Sequence, residues 1–137
     1  MEPVIVWYIR MSVIYFVLGA TSGIAMIIWP SEAGYYVSSH VHLNLLGFMA
    51  MIVYGVGYHI LPKFSGRNIH SPAVVKVQFW FANIGLVGMA VGWPFVARDT
   101  MTGLFNPILV ISAFCSLLAA VLFAFNILKT VKPVQMQ

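Results

Sequence analysis

Charge is what this sequence has least of. Asp, Glu, Lys and Arg make up 7% of its 137 residues, while 61% are hydrophobic. A water-soluble domain carries roughly 25% charged residues, so a fully water-facing surface is excluded and the bilayer is the expected solvent. Carboxylates are scarcer still: Glu2, Glu32 and Asp99 are the whole set, all near span ends or the terminus. No acid–base pair or activated nucleophile can be assembled from them, which excludes conventional hydrolytic chemistry. The single cysteine, Cys115, lies in an apolar run. It has no internal disulfide partner and is expected to be an inert thiol. No internal repeat or low-complexity tract occurs. The net charge is +4, but the seven Lys and Arg sit at the ends of apolar runs. Headgroups and topology explain them there without any nucleic acid.

What the chain does have is four long apolar runs. A bilayer core needs about 20 apolar residues per helix. Runs over residues 4–28, 36–61, 73–95 and 104–128 therefore predict four transmembrane helices in a single transmembrane domain, 1–137, an all-α integral membrane four-helix bundle. The N-terminus has no basic stretch before its apolar run, and the run exceeds a signal-peptide core, so it is expected to stay as a membrane helix. Prolines mark the boundaries: Pro30, Pro62, Pro72 and Pro94. An even number of spans puts both termini and the Lys63–Lys76 loop on one side. That side holds Lys63, Arg67, Lys76, Lys129 and Lys132; the other holds Arg98, near Asp99, and Glu32. The first side is predicted cytoplasmic, in a multi-pass protein of the inner membrane. Trp7 and Trp80 would mark the inner interface, Trp29 and Trp93 the outer one. Gly19 and Gly23, and Gly88 and Gly92, have the spacing at which helices approach closely in lipid.

Ionisable residues inside a span are costly and mark functional positions. The second span carries three histidines, His40, His42 and His59. Residues two apart lie about 200° apart around a helix. His40 and His42 thus face nearly opposite ways and cannot share one iron within an intact helix, although each can serve a separate site. His59 lies about 25 Å further along the axis and belongs to the inner interface. His70 falls in the inner loop. Gly47 recurs almost directly below His40 and would leave a flat groove there, with Leu43 and Met51 continuing that face, while Met49 lies below His42. Spacing alone leaves two readings: heme ligands, or hydrogen-bonded interface histidines.

The stretch from Ser39 to Phe95 reads SHVHLNLLGFMAMIVYGVGYHILPKFSGR, then VKVQFWFANIGLVGM and WPF. It resembles the tenth and eleventh helices of the heme-copper oxidase catalytic subunit, most closely the C-type oxidases and nitric oxide reductases. The resemblance rests on His40-Val41-His42, Gly47, the Tyr58-His59-Ile60-Leu61-Pro62 exit, the Ser65-Gly66-Arg67 turn, Phe79-Trp80 and Gly85. It implies that His40 matches a ligand of the high-spin heme and His42 a ligand of the low-spin heme. Departures are as informative. The family's subunit has about twelve helices and this chain four. The histidine helix for copper or non-heme iron is missing, as is the helix that supplies the other low-spin axial ligand. Gln78 stands where the family places a histidine. By resemblance alone, a single chain would not be a complete terminal oxidase.

The family's helices form three four-helix arcs about a pseudo-threefold axis, with the second helix of each arc innermost. The His-x-His here is also on the second helix of four. A homotrimer would rebuild that arrangement, each interface presenting His40 of one chain and His42 of its neighbour to a bis-histidine heme b. The family also places arginines at this level against heme propionates, a role open to Arg98 alongside that of a snorkelling topological residue. Arg10 is expected to snorkel, and Tyr54 and Tyr58 to be packing aromatics. Three functions follow: an electron-transferring heme b cytochrome, a gas-active heme protein with an open axial position, or a non-catalytic membrane subunit or assembly factor whose histidines only pack.

Overall fold

The structure is a computed structural model that describes residues 2–131; Lys132, which entered the topology argument, lies outside them. Four helices follow one another: α1 Pro3–Ile28, α2 Ala33–Phe64, α3 Pro72–Ala97 and α4 Thr102–Thr130, each long and apolar enough to cross a membrane. The described residues contain no strand. The all-α membrane bundle expected from composition is what forms, since in lipid a helix satisfies its own backbone polar groups.

Two helices outrun their expected ends. α2 continues through Pro62 to Phe64, and α3 through Pro94 to Ala97. A proline removes one hydrogen bond to the preceding turn, but membrane helices tolerate that loss where neighbours pack closely, and both prolines are buried. α2 is also not uniform. Leu43–Ala50 is wound as a π-helix directly after His42, a form rare outside functional sites.

The core lies between α1, α2 and α3 around Tyr8, Tyr15, Met51, Tyr58, Val75 and Leu86, with Phe123 and Ile127 of α4 packed on its rim. Large apolar side chains such as Val17, Ile27, Val53, Phe114 and Leu117 point outward, a surface that suits hydrocarbon. Two tyrosines of the core pair with carboxamides of α3. Tyr15 donates to Asn83 Oδ1, 2.6 Å, and Tyr58 to Gln78 Oε1, 2.5 Å. Tyr58 and Gln78 are fully buried, so Gln78 is a structural partner of α2.

Asn126, also fully buried, closes a two-way clasp on the start of α3. Its Nδ2 donates to Ser71 O and its Oδ1 accepts from Ser71 N, each at 3.0 Å. Ser71 in turn caps α3 at Val74 N. Asn126→Leu strands the backbone N–H of Ser71 and leaves Ser71 O with Val75 N as its remaining donor. It is expected to destabilise the bundle by about 2 kcal/mol, read as an earlier midpoint in SDS titration; an unchanged midpoint would show that the clasp is not needed.

Small residues set the helix spacing. A Cβ on Gly19 would lie 2.6 Å from Asn44 Nδ2, and one on Gly23 3.1 Å from His40 Cε1. A Cβ on Gly92 would lie 2.9 Å from Leu109 Cδ2, and Gly88 faces Ser112. Both glycine pairs expected from spacing are therefore helix–helix contacts.

Candidate functional site: the histidine pair of the second helix

α2 enters the membrane after the Trp29–Glu32 turn, and its first turns present Ser39, His40 and His42 in succession. Ser39, buried, donates to Ala90 O of α3 at 2.7 Å and pins this level of α2 to α3. The two rings beside it leave the helix toward different neighbours.

His40 packs on α1. Its Nδ1 lies 2.9 Å from Gly19 O and 3.2 Å from Ser22 Oγ. Ser22 Oγ itself donates to Gly19 O. A carbonyl can only accept, so Nδ1 carries the proton. The approach requires the bare backbone of Gly19 and Gly23. Asn44 completes the contact, donating from Nδ2 to His40 O at 2.8 Å.

His42 turns toward α3. Its Nδ1 lies 2.6 Å from Ser38 O, one turn earlier, and its ring stacks on Trp93 at 6.3 Å between centroids and 29° between planes. The same argument puts the proton on Nδ1. Each ring is half-buried, and neither Nε2 has a hydrogen-bond partner among the described residues. An imidazole whose Nδ1–H is held by a carbonyl presents a basic, oriented Nε2, the usual arrangement of a metal-ligating histidine.

Trp93 departs from its expected place as an interface anchor. It is half-buried against His42, and its Nε1–H is buried with no acceptor. The sequence carries no signal that separates Trp93 from the other three tryptophans. Trp7, Trp29 and Trp80 are exposed, as interface residues would be.

The groove expected below His40 is not there. Gly47 is buried, and a Cβ on it would lie 2.6 Å from Tyr15 Cβ and 3.0 Å from Leu86 Cδ2. Tyr15 and Leu86 fill the space. The looser π winding of Leu43–Ala50 also breaks the α-helical register that would have returned Gly47 beneath His40. Gly47 is a close-packing position.

A cavity of about 360 Å³ opens instead where α1 ends and α2 begins, lined by Ser22, Ala25, Met26, Trp29, Ala33 and Tyr36, with Glu32 and Arg98 at its edge. Ser22 links it to the His40 contact. Arg98 pairs with Glu32 through Nη2, reaches Tyr36 Oη at 3.3 Å, and lies 4.6 Å from the Tyr35 ring centroid and 4.9 Å from that of Tyr36. The hydrogen bond Arg98 donates to Glu32, and then the one it donates to Tyr36, push the guanidinium above its ordinary pKa. Exposed pairs of this kind stabilise little. Their effect is positional, fixing Arg98 over the mouth of the cavity with Nη1 and Nε free of hydrogen bonds among the described residues.

The other histidines lie apart from the pair. His59 Nε2 accepts from Lys63 Nζ at 3.0 Å near the C-terminal end of α2. His70 is exposed and meets Phe125 edge-on. Among the described residues no three of His, Cys, Asp and Glu come together as a metal-binding group. Each histidine of the pair can therefore contribute one nitrogen to an iron held otherwise.

Comparison with known proteins places these features in a family. Residues 1–104 match the family described as cytochrome c and quinol oxidase polypeptide I. The chain is 45% identical over 49 residues to the Cbb3-type cytochrome c oxidase subunit CcoN1 of Stutzerimonas stutzeri, which is 35% of this chain and 10% of that protein. It is 41% identical over 49 residues to the cytochrome c oxidase subunit 1 homolog of Agrobacterium tumefaciens (strain T37), 35% of this chain and 9% of that one. The match therefore spans about a tenth of the length of these relatives. Four membrane-length helices, the His-x-His segment on the second of them and a family match over most of the chain agree: this protein belongs to the cytochrome c and quinol oxidase polypeptide I family.

Proposed function

We propose that this chain is a heme b cytochrome of the inner membrane, with His40 of one protomer and His42 of a neighbouring protomer as axial ligands in a homotrimer. The observation that carries the reading is a contact shared by both rings, Nδ1 of each lying within 2.9 Å of a main-chain carbonyl oxygen. Each commits Nδ1–H to a main-chain carbonyl, Gly19 O or Ser38 O, and each keeps a basic Nε2. The rings leave α2 toward α1 and α3 respectively, so one protomer offers any one iron a single nitrogen. A cyclic assembly offers two.

The residues present fit such a group. Trp93 has a buried N–H without an acceptor beside His42, and Arg98 retains free guanidinium donors at the cavity mouth. Both suit the carboxylate groups of a porphyrin. On α2 the side chains of Leu45, Met49, Val53, Val56 and Ile60 are exposed and apolar. A second copy of the chain would cover them and exclude water from the ring. Heme b, when bound, supplies a one-electron ferric–ferrous couple. Gly19 O and Ser38 O hold the two imidazoles in the tautomer and orientation that ligation requires. His40 of one protomer and His42 of its neighbour would together hold the group, which would leave no site for an exchangeable ligand and would favour electron transfer. The Lys63, Arg67 and Lys76 side, with both termini, faces the cytoplasm, which puts the histidine pair in the outer half of the bilayer.

The absorption spectrum of the purified protein tests this. A six-coordinate low-spin heme b spectrum that carbon monoxide leaves unchanged is expected. A high-spin spectrum that shifts with carbon monoxide or nitric oxide would assign a gas-active heme instead, and a protein without a Soret band would leave only a packing role for the histidines.

A further inference from the structure

The inner end of the bundle carries a second cavity, remote from the histidine pair. It measures about 470 Å³ and lies where the end of α2, the following loop, the start of α3 and the N-terminus of α1 meet. Tyr58, His59, Lys63, Arg67 and Asn68 line it, with Glu2 as its one carboxylate. We infer that this cavity binds the phosphate headgroup of an anionic phospholipid of the surrounding membrane.

Three observations support a phosphate there. First, the cations are short of anions. The one ion pair among the described residues is Arg98 with Glu32, at the opposite end of the helices. Lys63 instead donates from Nζ to His59 Nε2, 3.0 Å away. The Arg67 side chain makes no hydrogen bond among the described residues; its backbone N–H alone is engaged, with Pro62 O. An arginine with five free donors in a fixed fork matches phosphate oxygens. Second, the loop is folded to hold Arg67 there. Gly66 turns with a φ of +59°, and Gly66 N donates back to Lys63 O at 3.1 Å, so Lys63 and Arg67 are joined by one closed turn. Third, the cavity sits at the depth of a headgroup. Lys63 follows the buried Pro62 at the end of a membrane-length helix, and Ile5, Ile69 and Pro72 supply apolar wall for the glycerol end of a lipid. Basic pockets between helices at a membrane face are suited to anionic headgroups. Glu2 offsets one charge and leaves a net positive site.

The test is native mass spectrometry of the detergent-solubilised full chain, titrated with dioleoylphosphatidylglycerol or with dioleoylphosphatidylcholine. Wild type is expected to retain phosphatidylglycerol in preference to phosphatidylcholine. The double variant Lys63→Gln, Arg67→Gln should weaken phosphatidylglycerol about twenty-five-fold, each cation near the surface contributing about a factor of five. Lys129→Gln, a cation of the same side outside the cavity, should leave it unchanged and so controls for loss of general surface charge. Inorganic phosphate at millimolar concentration separates the two sources of the chemistry: failure to displace the lipid supports a lipid site, and full displacement would overturn it in favour of a free-anion site. Equal retention of the two lipids, or a double variant that binds as wild type does, would overturn the inference, as would a loss in Lys129→Gln equal to that in the double variant.

Discussion

His40→Ala and His42→Ala are each expected to abolish the heme b spectrum when expressed alone, and to recover part of it when the two variant chains are co-expressed. Neither substitution empties the core, since both rings are half-buried and lie outside the buried cluster around Tyr8 and Met51. The loss would therefore be of the iron ligand rather than of the fold, and an unchanged oligomer mass would establish that. Recovery follows from the opposed directions of the rings. If each iron takes His40 from one chain and His42 from the next, an interface is intact whenever a His42→Ala chain supplies its His40 to a His40→Ala chain that supplies its His42. Random mixing at equal amounts makes that true at about a quarter of interfaces in a cyclic oligomer. Ligation within a single chain predicts no recovery at all. A Soret band at about a quarter of wild type, against none in either variant alone, is the outcome expected; none in the mixture would remove the shared-ligand arrangement.

The parts of this site that the sequence made legible are those that depend on a single helix. The spans were readable because about 20 apolar residues without charge have few other uses. The divergence of His40 and His42 was readable because 100° per residue leaves no alternative over two positions. What failed depends on a neighbour. Gly47 lies seven residues from His40 and should have returned beneath it, but the intervening turns are π-wound and Tyr15 of α1 fills the space. Pro62 and Pro94 were read as stops because proline breaks helices in water; buried against neighbouring helices, they are carried through. The role of Gln78 was visible only as a departure from a family pattern, whereas its partner is Tyr58 across two helices. Asn126 carried a signal that could have been used. A carboxamide in an apolar span must find a partner, but nothing in the sequence names Ser71, fifty-five positions away, as that partner.

Gly85→Leu is expected to destabilise the bundle strongly. α3 and α4 pack along an extensive seam, and at Gly85 the α4 backbone leaves no room for a side chain. A Cβ there would lie 2.7 Å from Ser112 O and 2.8 Å from Ser116 N. Those are main-chain atoms, so no rotamer change relieves the contact and the helices must part. Gly88 and Gly92, each one turn on, would lose their contacts with Ser112 and Leu109 as the seam opens. A loss of about 3 kcal/mol is expected, at the upper end of the cost of overpacking, as a lower SDS midpoint. Gly34→Ala is the matched control. Nothing lies within 4 Å of a Cβ at that position, near the start of α2, and the helix should gain up to about 1 kcal/mol from alanine. Equal midpoints for the two variants would show that close backbone approach at Gly85 does not hold α3 to α4. The consequence reaches the histidine pair, because Trp93 and Arg98 follow on the same helix and its last turn. A displaced α3 carries Trp93 off the face of His42, so in Gly85→Leu the heme spectrum should broaden even where the chain stays folded. That change would tie the α3–α4 seam to the ligand geometry rather than to stability alone.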